Sequence, residues 1–157
     1  MAVFAAYTGA RRSEMMRSQV DNLDFEGKTV RLRDKKKDQG KELTFRHVPL
    51  SPFLAEVMKD WLSRHPGGQV TLCQEPDVPL TPPQATLQFV RAVEGSKWAV
   101  VPGWHCLRHS FCSNCAPAGI DQRMISTWMG HQTAEMEARC RHLFPHQERE
   151  ALAKVFG

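Results

Sequence analysis

An alternation of apolar and polar residues on both sides of a basic turn constrains the fold of this chain more than any other feature. The two alternating segments read KTVRLRDKKK and KELTFRHVPL. A period of two places every second side chain on the same face of a strand, so these segments predict an antiparallel hairpin with strands over 29–35 and 42–48. The chain is therefore expected to contain at least one small antiparallel sheet.

Helical signals dominate the rest of the chain. The segment SPFLAEVMKDWLSRH has Ser51 as N-cap and Pro52 at the first helical position. The segment FAAYTG predicts a helix that stops at Gly9. The segment RSEMMRSQV predicts a second short helix, and TPPQATLQFVRAVEG predicts a further helix. The Pro- and Gly-rich stretch around 65–83 predicts a loop with one short strand, and the chain from Trp104 to Phe156 is expected to be almost wholly helical. We predict a mainly helical α+β domain with a small antiparallel sheet.

Length and composition agree with one globular domain. The 157 residues, 41% of them hydrophobic, suffice for a core, and no repeat or linker divides them. Five irregularly spaced cysteines predict no disulfide framework and favour a reducing cytoplasm. The apolar opening MAVFAAYTG is far shorter than the ~20 residues that cross a bilayer, so we predict no membrane segment. Its abrupt start suggests that a preceding segment has been removed.

The basic residues are clustered. They concentrate at 11–12, 31–37, 108–109 and 139–142, although the formal net charge is only +4. Clusters of this kind indicate a polyanionic partner, and they are equally compatible with an ordinary solvated surface.

Four motifs carry side chains suited to chemistry on a phosphate. In chain order they are TGARRSE, the lysine run after the first strand of the hairpin, WHCLRHSF, and MGHQTAEMEARCRHLFP. His105 and Arg108 in the third motif stand at i and i+3 on one helical face. In the fourth, His131 follows a glycine and Cys140 lies nine residues further on.

In this order and spacing the motifs resemble the catalytic domain of the tyrosine recombinases, the phage integrase family. The resemblance extends from Thr8 to about Pro145 and implies that residues 1–157 form such a domain, with the family's separate N-terminal core-binding domain absent. It implies the catalytic positions Arg11, Lys35, His105, Arg108, His131 and Cys140. The hairpin lysine is Lys35 by alignment on the strand, with Lys36 or Lys37 as alternatives.

The resemblance also implies a reaction and its partners. A nucleophile attacks a phosphodiester of double-stranded DNA, forms a covalent 3′-phosphoprotein and releases a 5′-hydroxyl, without metal or other cofactor, because the bond energy is kept in the intermediate. The family acts in DNA integration and site-specific recombination as a homo-oligomer, a tetrameric synapse, on DNA in the cytoplasmic nucleoid. Further DNA contacts are expected from Arg12, Lys36, Lys37, Arg139 and Arg141.

Cys140 departs from the family pattern, because the nucleophile there is a tyrosine. Flanking arginines favour its thiolate, but a thiolate is about one phenol ring shorter in reach. Since a misplacement of ~1 Å costs about a hundredfold in rate, we predict that this chain is cleavage-deficient. The sole tyrosine, Tyr7, is expected in the core and cannot replace it.

Two other functions remain open on the sequence. The chain is alternatively a degenerate member that only binds DNA, or a zinc-stabilised interaction module that uses Cys112 and Cys115. A single CxxC is a weak zinc signal, so packing in a helix core is the better prediction for this pair. Glu14 either orients Arg11 or lies on the surface.

Overall fold

A computed structural model describes residues 1–33, 44–115 and 117–130. The described residues form six α-helices, one short 3-10 helix (Val20–Asn22) and two small antiparallel sheets. The helices are α1 (Ala2–Thr8), α2 (Arg12–Met15), α3 (Pro52–Ser63), α4 (Pro82–Val93), α5 (His105–Cys115) and α6 (Gln122–Met129). The strands are β1 (Leu23–Asp24), β2 (Thr29–Arg33), β3 (Phe45–Pro49), β4 (Cys73–Glu75) and β5 (Val78–Pro79). The predicted α+β class is confirmed.

The hairpin pattern forms the larger sheet, in the order β1-β2-β3. Strands β2 and β3 are antiparallel, with Val30 opposite Val48 and Leu32 opposite Arg46. These four side chains are buried, while their neighbours along each strand are more exposed, as the alternation predicts. β2 ends at Arg33 and β3 begins at Phe45, so the predicted strand ends over 34–35 and 42–43 lie outside the described residues.

Local capping signals set the ends of the helices. α3 begins where the Ser51 hydroxyl accepts a hydrogen bond from the Leu54 amide at 3.3 Å, with Pro52 at the first helical position. α1 stops at Gly9, whose φ of 62° is the left-handed conformation that glycine adopts without strain. A Cβ at Gly9 would lie 2.8 Å from Met129 Sδ, so the absence of a side chain also lets α1 approach α6 closely.

Tertiary contacts overrule three sequence predictions. The helix predicted over RSEMMRSQV covers only Arg12–Met15, because the next residues leave the helix to meet the chain near Val70. The Thr71 amide donates to the Ser18 carbonyl at 2.9 Å, and Gln19 forms an isolated bridge with Val70. The Pro- and Gly-rich stretch contains two paired strands, β4 and β5, where one strand was predicted.

Tyr7 is the third correction. Its side chain is 42% exposed and not in the core, and its ring lies 5.2 Å from that of Phe53. The main core instead contains Phe4, Ala5, Val30, Leu54 and Met58. The face of α1 that carries Phe4 and Ala5 is buried in the core, whereas Tyr7 lies on the exposed side, against the likewise exposed Phe53 at the start of α3.

The CxxC pair occupies the buried side of α5. Cys112 is fully buried and packs with Ile125 and Met129 of α6, as predicted for a helix-core residue. Cys115 is half-buried beside them, and burial raises the pKa of its thiol. Among the described residues, no three His, Cys, Asp or Glu side chains are grouped so that they could hold a metal ion.

Candidate functional site

The structure describes four of the predicted site residues, Arg11, Arg12, His105 and Arg108. The other seven lie outside the described residues: Lys35, Lys36, Lys37, His131, Arg139, Cys140 and Arg141. Arg11, Arg12 and His105 line one cleft of about 410 Å³, together with residues of α4 and the chain before α5. Arg108 lies one helical turn after His105 and is 2% exposed.

Arg108 is held at the meeting point of three helices. It projects from α5, and its Nη1 donates to the Gly9 carbonyl at 2.6 Å, at the end of α1. Its Nη2 donates to the carbonyl of Met129, the last residue of α6. Helix C-terminal carbonyls lack partners within their own helix and carry partial negative charge, so they suit a guanidinium. The ends of α1 and α6 therefore fix the plane of the Arg108 side chain.

Arg11 is fixed by the first turn of α2, which it caps. The Glu14 carboxylate accepts from the Arg11 backbone amide and from Arg11 Nη1, both at 2.7 Å. Arg11 Nη2 reaches the Gly130 carbonyl at 3.4 Å. The Arg11 side chain remains 32% exposed. Its guanidinium is thus oriented by protein contacts while one side still faces the cleft.

Glu14 is buried and belongs to a network with a second arginine, Arg46 of β3. Arg46 Nη2 and Nη1 donate to the two Glu14 oxygens at 2.6 and 3.1 Å, and Arg46 Nε donates to the Trp128 carbonyl at 2.7 Å. Burial by itself raises the pKa of Glu14, but hydrogen bonds and charge from Arg46, with hydrogen bonds from Arg11, outweigh burial and hold that pKa below its ordinary value. Glu14 is therefore ionised at neutral pH. The sequence left open whether Glu14 orients Arg11 or lies on the surface, and the structure shows that it orients Arg11.

Sequence reasoning missed Arg46. The available signal was its place in the strand, because Arg46 occupies an inward position of the alternating pattern of β3. A charged residue at such a position is rarely buried without a partner of opposite charge. Its partner, Glu14, is 32 residues away in the chain, so the sequence alone does not identify the pair.

His105 occupies the rim of the cleft at the start of α5. Its ring centroid lies 5.1 Å from that of His109, one turn later. Partial burial is the largest cause that lowers the pKa of His105. Electrostatic repulsion from His109, Arg108 and Arg11 lowers this pKa further. Since the ordinary value is 6.5, the His105 imidazole is neutral at pH 7. A neutral imidazole nitrogen can accept a proton from an attacking group.

Trp104 and residues of α4 form another part of the cleft lining. The Trp104 indole donates to the Ala85 carbonyl at 2.9 Å, and its ring meets Phe89 edge to face at 5.1 Å. Arg12 Nη1 lies 3.2 Å from Thr86 Oγ1 on the exposed side of α4. The cleft lining consequently combines packed aromatic side chains with basic ones.

No helix within the described ranges is both long and apolar enough to cross a membrane.

Comparison with known proteins gives a consistent result. The model of the phage integrase family matches residues 1–147. A Sinorhizobium fredii (strain NBRC 101917 / NGR234) protein named for integrase/recombinase activity is 29% identical over 80% of this chain and 39% of its own length. The tyrosine recombinase XerC of Syntrophus aciditrophicus (strain SB) is 28% identical over 80% of this chain and 42% of its own length. The chain thus spans less than half the length of these curated relatives.

Solved structures share the fold. The Tn1549 transposon integrase in complex with transposon right end DNA superposes with a TM-score of 0.76 at 17% identity, over 99% of this chain and 58% of that one. The catalytic domain of bacteriophage HP1 integrase superposes with a TM-score of 0.65 at 23% identity, over 99% of this chain and 79% of that one. At such identities the likeness concerns the fold.

Proposed function

The chain belongs to the phage integrase family, and from this membership we propose that it is a DNA breaking-rejoining catalytic domain that acts in site-specific recombination or integration. The proposed substrate is double-stranded DNA, bound at the cleft that Arg11, Arg12 and His105 line. We further propose that the chain works beside an N-terminal core-binding domain and as a homo-oligomer, a tetrameric synapse, at the nucleoid.

One observation carries the proposal more than any other. Arg11 reaches the cleft while Glu14 and Arg46 hold it in place, and Arg108 is fixed one helical turn behind His105. A phosphodiester under attack develops negative charge on its nonbridging oxygens. Guanidinium groups whose orientation is set before the substrate binds stabilise that charge without a cost of reorganisation. Arginine suits this role better than lysine because its planar fork binds two oxygens at once.

The family resemblance implies the remaining roles, and the chemistry of each residue suits them. The neutral His105 imidazole accepts the proton of the nucleophile as its bond to phosphorus forms. A hairpin lysine, Lys35 with Lys36 and Lys37 as alternatives, donates a proton to the 5′-oxygen as the bond from phosphorus to that oxygen breaks. His131 hydrogen-bonds the phosphate. The energy of the broken bond is kept in the phosphoprotein, so the reaction requires neither a metal ion nor a nucleotide.

Cys140 makes the chain itself cleavage-deficient in this proposal. It occupies the place of the family's tyrosine nine residues after His131, in the sequence RCRHL. A cysteine sulfur falls short of a phosphate placed for a phenol oxygen, and a misplacement of about 1 Å already costs on the order of a hundredfold in rate.

The test is the substitution Cys140→Tyr in a chain joined to a suitable core-binding domain and given a suicide DNA substrate. We expect a protein covalently attached to a 3′-phosphate, detected as a band of reduced mobility that survives denaturation. Cys140→Phe is the matched control, since it restores the ring without the oxygen and must give no adduct. The parent is expected to give none, or a far smaller amount through sulfur.

A binding-only protein is the second candidate, and the cysteine at position 140 favours it. Absence of an adduct with Cys140→Tyr, on DNA that the variant demonstrably binds, would replace the cleavage proposal with this one. An equal yield of adduct from the cysteine parent would instead show that the thiolate reaches the phosphate, and would contradict the proposed deficiency.

A further inference from the structure

A second cleft, of about 330 Å³, adjoins the first one. Ser13 lines both clefts, so the two are neighbours on the surface. The second cleft is lined by two arginines, Arg17 and Arg33, by the neutral polar residues Ser13 and Gln19, and by the apolar residues Met16, Val70 and Pro79. No carboxylate of the described residues lines it.

Arg17 is an anomalous arginine in this structure. It lies two residues after the end of α2, and its backbone amide donates to the Glu14 carbonyl at 3.1 Å. Its Nη2 atom is buried but has no hydrogen-bond acceptor in the described part of the chain. By contrast, the guanidinium groups of Arg11, Arg46 and Arg108 all donate to carboxylate or carbonyl oxygens. A buried donor without an acceptor is unfavourable, which indicates that Arg17 is placed for an acceptor the described chain does not supply.

Arg33 brings a second positive charge to the same cleft. It is the last residue of β2, is half-buried, and directly precedes the segment that contains Lys35, Lys36 and Lys37. Two guanidinium groups lining one cleft repel each other when no anion lies between them. An ordinary solvated surface would let both side chains extend into water, whereas here one Arg17 nitrogen is withdrawn from it. An anionic ligand therefore explains the arrangement better than solvation does.

We propose that this second cleft binds a backbone phosphate of the DNA, separate from the phosphate at Arg11 and His105. The inference rests on the proposed function, because the shared Ser13 places both clefts along the path of one DNA molecule. A small rotation of the Arg17 guanidinium lets its unpaired nitrogen donate to a phosphate oxygen, and Arg33 neutralises the same charge. The apolar edge of Val70 and Pro79 suits a deoxyribose. Such a site positions DNA without reading its sequence.

The salt dependence of DNA binding tests this site. We would measure the affinity of the full 157-residue chain for a 30-base-pair duplex by fluorescence anisotropy between 50 and 200 mM salt. Each phosphate contact contributes a slope of about 0.9 in a plot of log affinity against log salt, so each accounts for about a 3.5-fold loss over this range. We expect Arg17→Gln and Arg33→Gln each to lower the slope by about that amount, and the double variant to lower it further.

Arg64→Gln is the matched control. It removes the same charge from an exposed arginine that pairs with Asp60 on α3, and we expect the slope to stay at the parent value. Melting temperatures identify any variant that fails to fold. If Arg17→Gln does not fold, Arg33→Gln decides the result, because Arg33 is the last residue of β2 and is outside the buried positions of that strand.

The outcomes separate this inference from the proposed function. Unchanged slopes in Arg17→Gln, Arg33→Gln and the double variant would overturn the second phosphate site. The proposed function would still stand in that case if the parent binds DNA in a salt-sensitive way and Arg11→Gln weakens this binding. A parent chain whose binding does not depend on salt, or that binds no DNA, would overturn both.

Discussion

Arg46 and Arg64 both pair with a carboxylate, but in opposite surroundings. The Arg46 and Glu14 side chains are 5% and 1% exposed, whereas those of Arg64 and Asp60 are 68% and 65% exposed. The buried pair joins residues 32 positions apart, and the exposed pair joins residues four positions apart at the end of α3. Moving two charges out of water into the protein costs free energy, so a buried ion pair is stable only when further hydrogen bonds occupy its remaining donors and acceptors.

The contacts of the two pairs show how that condition is met. Both Glu14 oxygens accept hydrogen bonds from Arg46 and Arg11, and Arg46 Nε donates to the Trp128 carbonyl. The network therefore connects α2, β3 and the end of α6. The Arg64 side chain, just after the end of α3, donates to the backbone and side-chain oxygens of Asp60, one turn earlier. The comparison indicates that the buried pair specifies the tertiary arrangement around Arg11, whereas the exposed pair adds little.

Removal of Arg46 is expected to have the largest effect. Arg46→Ala leaves the Glu14 carboxylate buried without its main partner, and we expect the free energy of unfolding to fall by about 3 kcal/mol. Arg64→Ala is the control and should lower it by less than about 0.5 kcal/mol. Urea denaturation of both variants measures the difference. Similar losses in the two variants would show that burial does not distinguish these pairs.

An alanine at Gly9 tests the other buried arginine, because the Gly9 carbonyl accepts from Arg108. Gly9→Ala forces a side chain into the left-handed conformation and brings its Cβ to 2.8 Å from Met129 Sδ and 3.0 Å from Phe111. We expect a loss of about 2 kcal/mol, from backbone strain and overpacking together.

Gly119→Ala separates these two causes. Gly119 also has positive φ, 74°, but a Cβ there would meet nothing within 4 Å. We expect this variant to lose only about 1 kcal/mol, the cost of the backbone conformation. If the melting temperatures of Gly9→Ala and Gly119→Ala fall equally, the close packing of Gly9 against Met129 does not contribute to stability.

The smallest expected effect is a change in the acid dependence of stability. The pKa of Glu14 is lower in the folded chain than its ordinary value of 4.5, so its ion pair stabilises the fold above pH 4.5 and loses this contribution as the pH falls through the folded pKa. Below pH 4.5, the stability of the parent should therefore decrease more steeply than that of Glu14→Gln. Urea titrations at several pH values between 2.5 and 5 measure both slopes. Equal slopes would show that Glu14 carries no favourable charge interaction.

Features decided by neighbours in the chain were predictable. The hairpin follows from the alternation that buries Val30 and Val48, and the start of α3 follows from Ser51 and Pro52. The segment FAAYTG correctly predicted a helix stop at Gly9, and RSEMMRSQV correctly predicted a new helix from Arg12. Such signals act within a few residues, so the surrounding fold seldom overrides them.

The sequence failed where distant segments compete with local preference. The helix after Arg12 is shorter than predicted because Ser18 and Gln19 pair with Thr71 and Val70. Tyr7 is exposed because the other face of α1 packs in the core. In neither case does the local segment contain the information that decides its structure.

The sequence by itself determined the α+β class, the hairpin and the family motifs with their arginines and histidine. Tertiary structure alone decided that Arg46 reaches Glu14 and that Arg108 meets the carbonyls of Gly9 and Met129, which lie 99 and 21 residues away. Only the fold decided that Arg17 and Arg33 line one cleft. The physical reason is that secondary structure depends on short-range periodicity and capping, whereas the partner of a buried charge depends on which segments the hydrophobic core brings together.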